Sequence, residues 1–308
     1  MPEKVTLTGV PETLLWTLYF RAAEARRPDA VLADPKAVEL VDAIDYPFAD
    51  RFGPANPLLA QAQALRVRRF DEQISRFLIA YPRGTVVALG EGLETQFWRV
   101  DNGRVRWVTV DVPATVDIRR RLLPDGDRQH TVACSALDER WMAELDPANG
   151  VLLSAQGLLM YLRPAEVHGL ITTAARRFPG AGILFDAVPS WFSARTTRGM
   201  RTPTGYRPPP MPWGLDDAER ARLARLPGVA ELREQPLPRG RGLFFGVLAP
   251  LAGRRGGRSK SGRTPGRAPG RTPLASAPRP AGRSATGPPA RPRRRPRRGR
   301  SSGAGPAG

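Results

Sequence analysis

Lysine is almost absent from this chain of 308 residues and occurs only at positions 4, 36 and 260. No lysine therefore follows a glycine-rich loop in the G-K-S/T arrangement that binds nucleotide phosphates. None stands four residues after a tyrosine either, as a short-chain dehydrogenase would need. Kinase or ATPase chemistry and this class of hydride transfer are thereby disfavoured.

Cysteine and long apolar runs are also scarce. The single cysteine, Cys134, excludes an intramolecular disulfide and any zinc site built from several cysteines. The longest apolar stretch, Leu243 to Ala252, is far below the ~18 residues that would span a bilayer. The N-terminal MPEKVTLTGV lacks the apolar centre of a signal peptide. We therefore expect a soluble, cytoplasmic protein with no membrane partner.

Acidic residues are missing from positions 253–308, which hold 16 of the 48 lysine and arginine residues. This Gly-, Pro- and Arg-rich tail has too little apolar surface to offset its ordering entropy, so we expect it to be disordered. An Arg-rich arm can bind nucleic acid through phosphates. However, arginine replaces lysine throughout the chain, as GC-rich coding produces, and the tail has no aromatic residue to stack on bases. We favour a passenger tail, which makes a nucleic-acid partner unlikely.

The most informative motif is a glycine turn between two apolar runs. Val86 to Leu89 is typical of a buried strand, and Gly90 and Gly92 follow it at once. A second apolar run, Val105 to Val110, ends at Asp111, which lies 21 residues after Gly90. A carboxylate at this position can accept both ribose hydroxyls of an adenosine. The pattern therefore indicates a nucleotide-type cofactor, although G-x-G alone is also common in simple tight turns.

Strand and helix patterns alternate after residue 84. We expect strands at 85–90, 105–110, 130–134, 150–154 and 181–187, with helices at 94–101, 114–122, 138–145 and 164–177. Such alternation predicts an α/β fold with a doubly wound, mostly parallel sheet that binds its ligand at the carboxyl ends of the strands. The antiparallel strand that usually closes such a sheet has two candidates, Val229–Leu237 and Leu243–Leu251.

Three helical stretches precede this region, at Glu12–Arg27, Pro35–Ile44 and Pro57–Tyr81. We therefore divide the chain into an N-terminal helical cap (1–84), an α/β domain (85–252) and the disordered tail (253–308). Within the α/β domain, the Pro-, Arg- and aromatic-rich insertion at 189–217 interrupts the alternation and is placed to cover the pocket as a lid.

Several motifs in order resemble the leucine carboxyl methyltransferase family, and most closely its bacterial polyketide-tailoring O-methyltransferases. They are VVALGEGLETQFWRVDNGRVRWVTVDVP, then LLP, SALDERW at 135–141 and SAQGLLMYLRP at 154–164, with RAAEARRPDAVLADPKAVEL and ALRVRRFDEQISRFL upstream. The resemblance covers roughly residues 12 to 250. It implies a class I methyltransferase, Rossmann-like fold that binds S-adenosylmethionine.

The resemblance also implies which residues hold this cofactor. Gly90 and Gly92 match the turn against which it lies, and Asp111 matches the acid that holds its ribose. Arg66 matches an arginine that pairs with the methionine carboxylate. On general grounds, Arg66 can equally be a solvated helix arginine.

Four further positions follow from the resemblance. Ser135 and Ala136 match the pair that faces the adenine. Gln156 stands where the family usually has Glu, and Tyr161 matches a tyrosine near the methyl-transfer centre, where it would contact the substrate. On general grounds Tyr161 is equally explained as a core residue with a satisfied hydroxyl.

Two places depart from the family pattern. The turn reads GLETQ where G-L-D-T-R is common, so that Glu94 replaces Asp and Gln96 replaces Arg. Gln156 keeps hydrogen-bonding capacity but loses a negative charge, which would lower cofactor affinity by ~1–3 kcal/mol if the contact is buried. A weakened or altered enzyme is therefore one of the interpretations that stay open.

No catalytic base is identified. A carboxylate acceptor needs none, whereas a phenol would be helped by one. His168, His130 and Asp186 are candidates by residue type alone, and a structural or exposed role is the simpler interpretation of His168.

The leading hypothesis is an S-adenosylmethionine-dependent O-methyltransferase that acts on a carboxylate or phenol oxygen of a small aromatic, polyketide-like acceptor. The alternative is a cofactor-binding protein of the same fold that has lost turnover. A third and weaker hypothesis is a nucleic-acid methyltransferase that docks its polyanion through the tail.

Overall fold

A computed structural model of the chain describes residues 2–202, 205–242 and 244–248. They lie in the first of two compact units, Met1–Ser259. The second unit, Lys260–Gly308, and the rest of the tail predicted to be disordered lie outside the described residues.

Five parallel strands form the central sheet in the order β5-β4-β3-β6-β7. These strands are β3 (Thr85–Leu89), β4 (Arg106–Asp111), β5 (Gln129–Ala133), β6 (Val151–Ala155) and β7 (Gly182–Phe185). The central strands β3 and β6 are buried along their whole length, because helices cover both faces. All five predicted strands are present, with ends that differ by one or two residues.

The sheet divides the core into two layers. Successive side chains of a strand point to opposite faces, so Val87 and Leu153 pack on one side and Val86 and Leu152 on the other. The first side is covered by α8 (Pro164–Arg177) and Trp141 of α7 (Arg140–Ala143). The second is covered by α4 (Pro57–Ala80) and α5 (Gln96–Val100). The predicted α/β, doubly wound parallel fold is therefore confirmed.

The remaining elements are short. The chain begins with β1 (Glu3–Lys4), α1 (Thr13–Ala25), α2 (Pro35–Ala43), β2 (Ile44–Asp45) and α3 (Phe48–Phe52), and β1 pairs with β2 in parallel. Later elements are α6 (Pro113–Leu122), α9 (Ser190–Thr197), α10 (Asp217–Leu223) and a π-helical turn at Phe244–Leu248. Within the described ranges, no helix has both the length and the apolarity needed to cross a membrane.

Local sequence explains where the N-terminal helices begin. Asp34 caps α2 by accepting a hydrogen bond from the backbone N–H of Ala37, and Asn56 caps α4 through Leu58 and Leu59. Proline follows each cap at the first helical position, where its missing N–H is harmless. The three helical stretches predicted before the sheet are thus observed as α1, α2 and α4.

One candidate for the closing strand is wrong. Residues 229–237 have no regular secondary structure, and no strand follows β7 within the described residues. Pro236 and Pro238 lack the N–H that a ladder needs, while Val229 and Leu232 pack against the core beside α8. Of the second candidate, Leu243–Leu251, the described part contains the π-helical turn and the rest lies outside the described residues.

A buried ion cluster joins the N-terminal helices to the sheet. The Asp34 carboxylate accepts hydrogen bonds from Arg21 Nε at 3.0 Å, Arg99 Nη1 at 2.9 Å and Thr95 Oγ1 at 2.7 Å. The Asp34 side chain is 1% exposed. The guanidinium groups of Arg21 in α1 and Arg99 in α5 therefore share the carboxylate of Asp34 at the start of α2.

Asp34→Ala should lower the free energy of unfolding by about 3–5 kcal/mol, because it leaves Arg21 and Arg99 short of a buried counter-charge. The control is Asp42→Ala, which breaks an exposed pair with Arg26 and should cost at most about 1 kcal/mol. Urea unfolding followed by circular dichroism measures both variants. Equal costs would contradict the role assigned to Asp34.

Candidate functional site

The glycine turn lies at the carboxyl ends of two adjacent strands. Gly90 follows β3 with φ +62° and Gly92 has φ +58°, a left-handed conformation that side chains rarely adopt. The Gly90 N–H donates to the carbonyl of Val110 at 2.8 Å, and the Gly92 N–H donates to Asp111 Oδ2 at 2.8 Å. The spacing of glycine and aspartate in the sequence thus becomes a direct contact.

All eight predicted site residues line one cavity of about 290 Å³ at this edge of the sheet. They are Arg66, Gly90, Gly92, Asp111, Ser135, Ala136, Gln156 and Tyr161. Residues of α1 line the same cavity, including Thr13, Leu14 and Arg21. The cavity lies where a parallel α/β sheet is expected to bind its ligand. The contacts of each residue with a ligand remain predictions.

The Asp111 carboxylate is fixed by hydrogen bonds and can still accept one from a ligand. Its two oxygens accept one backbone N–H each, from Gly92 and Val112, both at 2.8 Å. Thr115 also hydrogen-bonds to this carboxylate. A carboxylate has about four lone-pair positions, so one remains for a hydroxyl group of a ligand. Burial raises the pKa of Asp111, and the N–H groups of Gly92 and Val112 oppose only part of this shift.

Glu91, which stands between the two glycines, stabilises the turn through contacts with β4 and α6. It accepts hydrogen bonds from Trp107 Nε1 at 3.2 Å and from Thr109, and it pairs with Arg119 Nη2 at 3.2 Å. Arg119 in turn donates to the carbonyl of Gly92 at 2.8 Å. Burial raises the pKa of Glu91 and the Arg119 guanidinium opposes the shift. The sequence analysis did not predict the ion pair of Glu91 with Arg119. The acidic residue inside the G-x-G motif was the sequence signal that could have indicated it.

Arg66 is not a solvated helix arginine. Its Nη1 donates to Asp186 Oδ2 at 2.8 Å, and Asp186 Oδ1 accepts the N–H of Gly157 at 2.6 Å. The pair joins α4 to the carboxyl end of β7 and to the loop after β6. Asp186, named above as a candidate base by residue type, is therefore already engaged in this pair.

The two altered side chains of the turn, Glu94 and Gln96, both have partners in the structure. Gln96 Nε2 donates to Asp71 Oδ1 at 2.8 Å, and Arg99 Nε donates to Asp71 Oδ2 at 2.7 Å. Arg99 also pairs with Glu94 at 2.8 Å. Arg99, one helical turn after Gln96, thus brings a guanidinium to both Asp71 and Glu94.

Gln156 joins this cluster to the cavity. Its Nε2 donates to Glu94 Oε2 at 2.9 Å, whereas its Oε1 is buried without a hydrogen-bond partner among residues 2–202, 205–242 and 244–248. Burial alone would raise the pKa of Glu94, but the charges of Arg21 and Arg99 lower it to about 2. Glu94 is therefore ionised at neutral pH.

Tyr161 lies on the cavity wall in the turn after β6. Burial raises the pKa of its phenol, and a hydrogen bond with Thr13 opposes the shift. Its hydroxyl is therefore protonated at neutral pH.

Neither histidine lies on the cavity wall. His168 Nε2 contacts Glu219 Oε1 at 2.6 Å, and Trp213 Nε1 donates to the same oxygen at 2.9 Å. His130 Nε2 contacts Glu144 at 2.9 Å on the exposed side of β5. The structural role favoured for His168 agrees with these contacts, and neither side chain is positioned as a base.

The insertion at 189–217 packs beside the cavity. None of its described residues, 189–202 and 205–217, lines the cavity wall. Tyr206 from this segment packs edge-on against Phe52 of α3, with the Arg51 guanidinium over its ring. The lid function of the insertion therefore stays a prediction.

With the geometry established, comparison with known proteins gives the class. The family model described as leucine carboxyl methyltransferase matches residues 15–175, which is more than half of the chain. The chain belongs to this family and is an S-adenosylmethionine-dependent methyltransferase, as the suspected resemblance implied.

Individual relatives agree with this class. The chain is 35% identical over 232 residues to the tetracenomycin polyketide synthesis O-methyltransferase TcmP of Streptomyces glaucescens, covering 74% of this chain and 83% of that protein. It is 29% identical over 205 residues to the S-adenosyl-L-methionine-dependent methyltransferase dpfgK of Gibberella zeae, covering 60% of this chain and 68% of that protein. Among solved structures, PigF with SAH is similar with a TM-score of 0.41 at 16% identity, covering 74% of this chain and 68% of that chain.

Two phenols near the insertion give a stability test. Tyr206 is 4% exposed and its hydroxyl has no hydrogen-bond partner in the part of the chain that the structure describes, whereas the Tyr46 hydroxyl donates to Glu12 at 2.9 Å. Tyr206→Phe should therefore leave the free energy of unfolding unchanged or raise it by up to about 1 kcal/mol, and Tyr46→Phe should lower it by about 1–2 kcal/mol. Urea unfolding measures both. A clear loss of stability in Tyr206→Phe would show that its hydroxyl is paired in solution.

Proposed function

We propose that this methyltransferase transfers the methyl group of S-adenosylmethionine to a carboxylate or phenol oxygen of a small aromatic, polyketide-like acceptor. The observation that carries the proposal is one cavity in which Asp111, with an acceptor position left for a ligand hydroxyl, lies together with the glycine turn, Gln156 and Tyr161. The name of the Streptomyces relative supports the acceptor class. The cytoplasmic location stays a prediction from the sequence.

The residues present fit the cofactor. Asp111 would accept a ribose hydroxyl, and the glycines would let the backbone approach closely. Arg66 would pair with the methionine carboxylate, Ser135 and Ala136 would face the adenine, and the unpaired Gln156 Oε1 is an acceptor for a polar N–H. When bound, S-adenosylmethionine supplies an electrophilic methyl group on a sulfonium.

The protein's own contribution is positioning. Methyl transfer is an in-line displacement, so the main task is to hold the acceptor oxygen in line and exclude water. Tyr161, protonated at neutral pH, can donate a hydrogen bond that orients the acceptor. No described histidine reaches the cavity wall, so a carboxylate, which is already ionised, is the acceptor that this chain serves without a base.

A protein that binds the cofactor without turnover is the second candidate. Gln156 and the altered turn motivate it, since both depart from the family pattern. The complete hydrogen bonding around Glu94, Gln96 and Arg99 favours a site that still binds its ligand. Binding and transfer must therefore be measured separately.

Isothermal titration of S-adenosylhomocysteine into the full chain should give a micromolar dissociation constant, that is on the order of −8 kcal/mol. Asp111→Ala should weaken binding at least about tenfold, because it removes a charged hydrogen bond to the ligand worth about 1.5–3 kcal/mol. The control is Asp117→Ala, an exposed position on the neighbouring helix α6, which should bind as the wild type does. If the folded wild type binds neither S-adenosylhomocysteine nor S-adenosylmethionine, the proposal is wrong.

Methyl transfer should occur to 3-hydroxy-2-naphthoic acid, a fused aromatic that carries both a carboxylate and a phenol. Mass spectrometry detects the product, and alkaline hydrolysis removes the methyl group of an ester but not that of an aryl ether. 2-Naphthoic acid and 2-naphthol, which carry one oxygen group each, are the matched acceptors. Intact cofactor binding with no transfer to any of the three would favour the protein without turnover.

A further inference from the structure

The amide of Gln156 is held in one orientation by Glu94. A carboxylate only accepts hydrogen bonds, so the amide must turn its Nε2 toward Glu94, at 2.9 Å, and its Oε1 away. That oxygen is then buried with no partner among the described residues. An unpaired buried acceptor is costly, so a ligand that donates to it would recover free energy.

Glu94 itself has no capacity left for a ligand. Its Oε1 accepts from the backbone N–H of Thr95 at 2.9 Å and from Arg99 Nη2 at 2.8 Å. Its Oε2 accepts from Arg21 Nη1 at 2.7 Å and from Gln156 Nε2 at 2.9 Å. Four donors occupy the four lone-pair positions. Although Glu94 lines the cavity, its hydrogen bonding can therefore influence a ligand only through Gln156.

The charges behind Gln156 favour a cation. Arg21 and Arg99 are surrounded by three carboxylates, those of Asp34, Asp71 and Glu94. With all five groups ionised, the cluster carries a net charge of −1. The neighbouring cationic group on the cavity wall, Arg66, is balanced by Asp186. In a weakly screened interior this excess negative charge favours a positively charged donor.

We propose that Glu94 is a positioning residue that holds the Gln156 amide with its carbonyl oxygen toward the cavity, so that the site selects a ligand with a cationic amine. The inference rests on the proposed function and assigns this contact to the amine at the amino-acid end of the cofactor. Glu94 acts without touching the ligand. It fixes which of two chemically opposite groups of Gln156 is presented.

The orientation of the Gln156 amide can be reversed by replacing one carboxylate oxygen of Glu94 with an amide nitrogen. In Glu94→Gln, a side chain that keeps its oxygen for Thr95 and Arg99 turns its NH₂ group toward both Arg21 and Gln156. Arg21 loses this acceptor but keeps its hydrogen bonds to Asp34 and to the carbonyl of Leu93. Gln156 must then accept with its oxygen and present its own NH₂ to the cavity. The variant should therefore prefer a carboxylate where the wild type prefers an amine.

Three ligands measure this preference directly by isothermal titration. They are S-adenosylhomocysteine, its decarboxylated analogue, which keeps only the amine, and its deaminated analogue, which keeps only the carboxylate. The readout is the dissociation constant of the carboxylate-only ligand divided by that of the amine-only ligand. We expect Glu94→Gln to lower this ratio about tenfold or more. A general loss of packing would weaken both ligands alike and leave the ratio unchanged.

Two further variants separate position from charge. Asp71→Asn removes one negative charge from the same cluster, but Asp71 bonds to Gln96 and Arg99 and not to Gln156. Its ratio should stay within about threefold of the wild type. The exchanged pair Glu94→Gln with Gln156→Glu restores an oxygen facing the cavity and should recover the wild-type ratio. If Glu94→Gln does not fold, Gln156→Leu removes the acceptor and should lower the ratio by itself.

The outcomes are distinct from those of the proposed function. If the wild type binds no S-adenosylhomocysteine, the proposed function fails and this inference fails with it. If the wild type binds but folded Glu94→Gln keeps the ratio, if Asp71→Asn shifts it equally, or if the exchanged pair does not recover it, the positioning role of Glu94 is overturned while the cofactor site stands.

Discussion

The buried cluster of Arg21, Arg99, Asp34 and Glu94 is the constraint on which the site depends. Its members come from α1, α5, the N-cap of α2 and the turn after β3, and each side chain is at most 10% exposed. Buried charges are costly to leave unpaired, and displacing one of these elements would leave buried charges on the others without a partner. The electrostatics of the cluster therefore hold the N-terminal helices against the edge of the sheet where the cavity forms.

The acidic residues at the cavity are fixed both by backbone N–H groups and by other side chains. Asp111 is fixed by two backbone N–H groups, and Glu91 holds Arg119 beneath the turn. Both acids are buried at a cost, visible as raised pKa values. That cost is partly offset by hydrogen bonds which fix their orientation, and a group whose orientation is fixed in advance loses less entropy when a ligand arrives.

Much of the fold followed from local patterns in the sequence, whereas most members of the cavity followed from the family resemblance. Continuous apolar runs, proline after a capping residue and the Gly90 to Asp111 spacing each act over short stretches of the chain. The interactions that were not predicted join residues far apart in the sequence. No local pattern shows that Arg99 bonds to Asp71, 28 positions away, that Arg66 pairs with Asp186, 120 positions away, or that residues 229–237 pack on the core without entering the sheet.

The two departures from the family pattern change meaning once their contact is known. Taken separately, Gln156 is a lost charge and Glu94 is a conservative replacement. In the structure they form one hydrogen bond, and the extra methylene of Glu compared with Asp extends the carboxylate that meets the Gln156 amide. Glu94 lies on the cavity wall, but protein donors occupy its four lone-pair positions, and Arg21 and Arg99 keep it ionised over a wide pH range. The pair therefore presents the Gln156 amide to a ligand and retains beside it a negative charge that protonation does not readily remove.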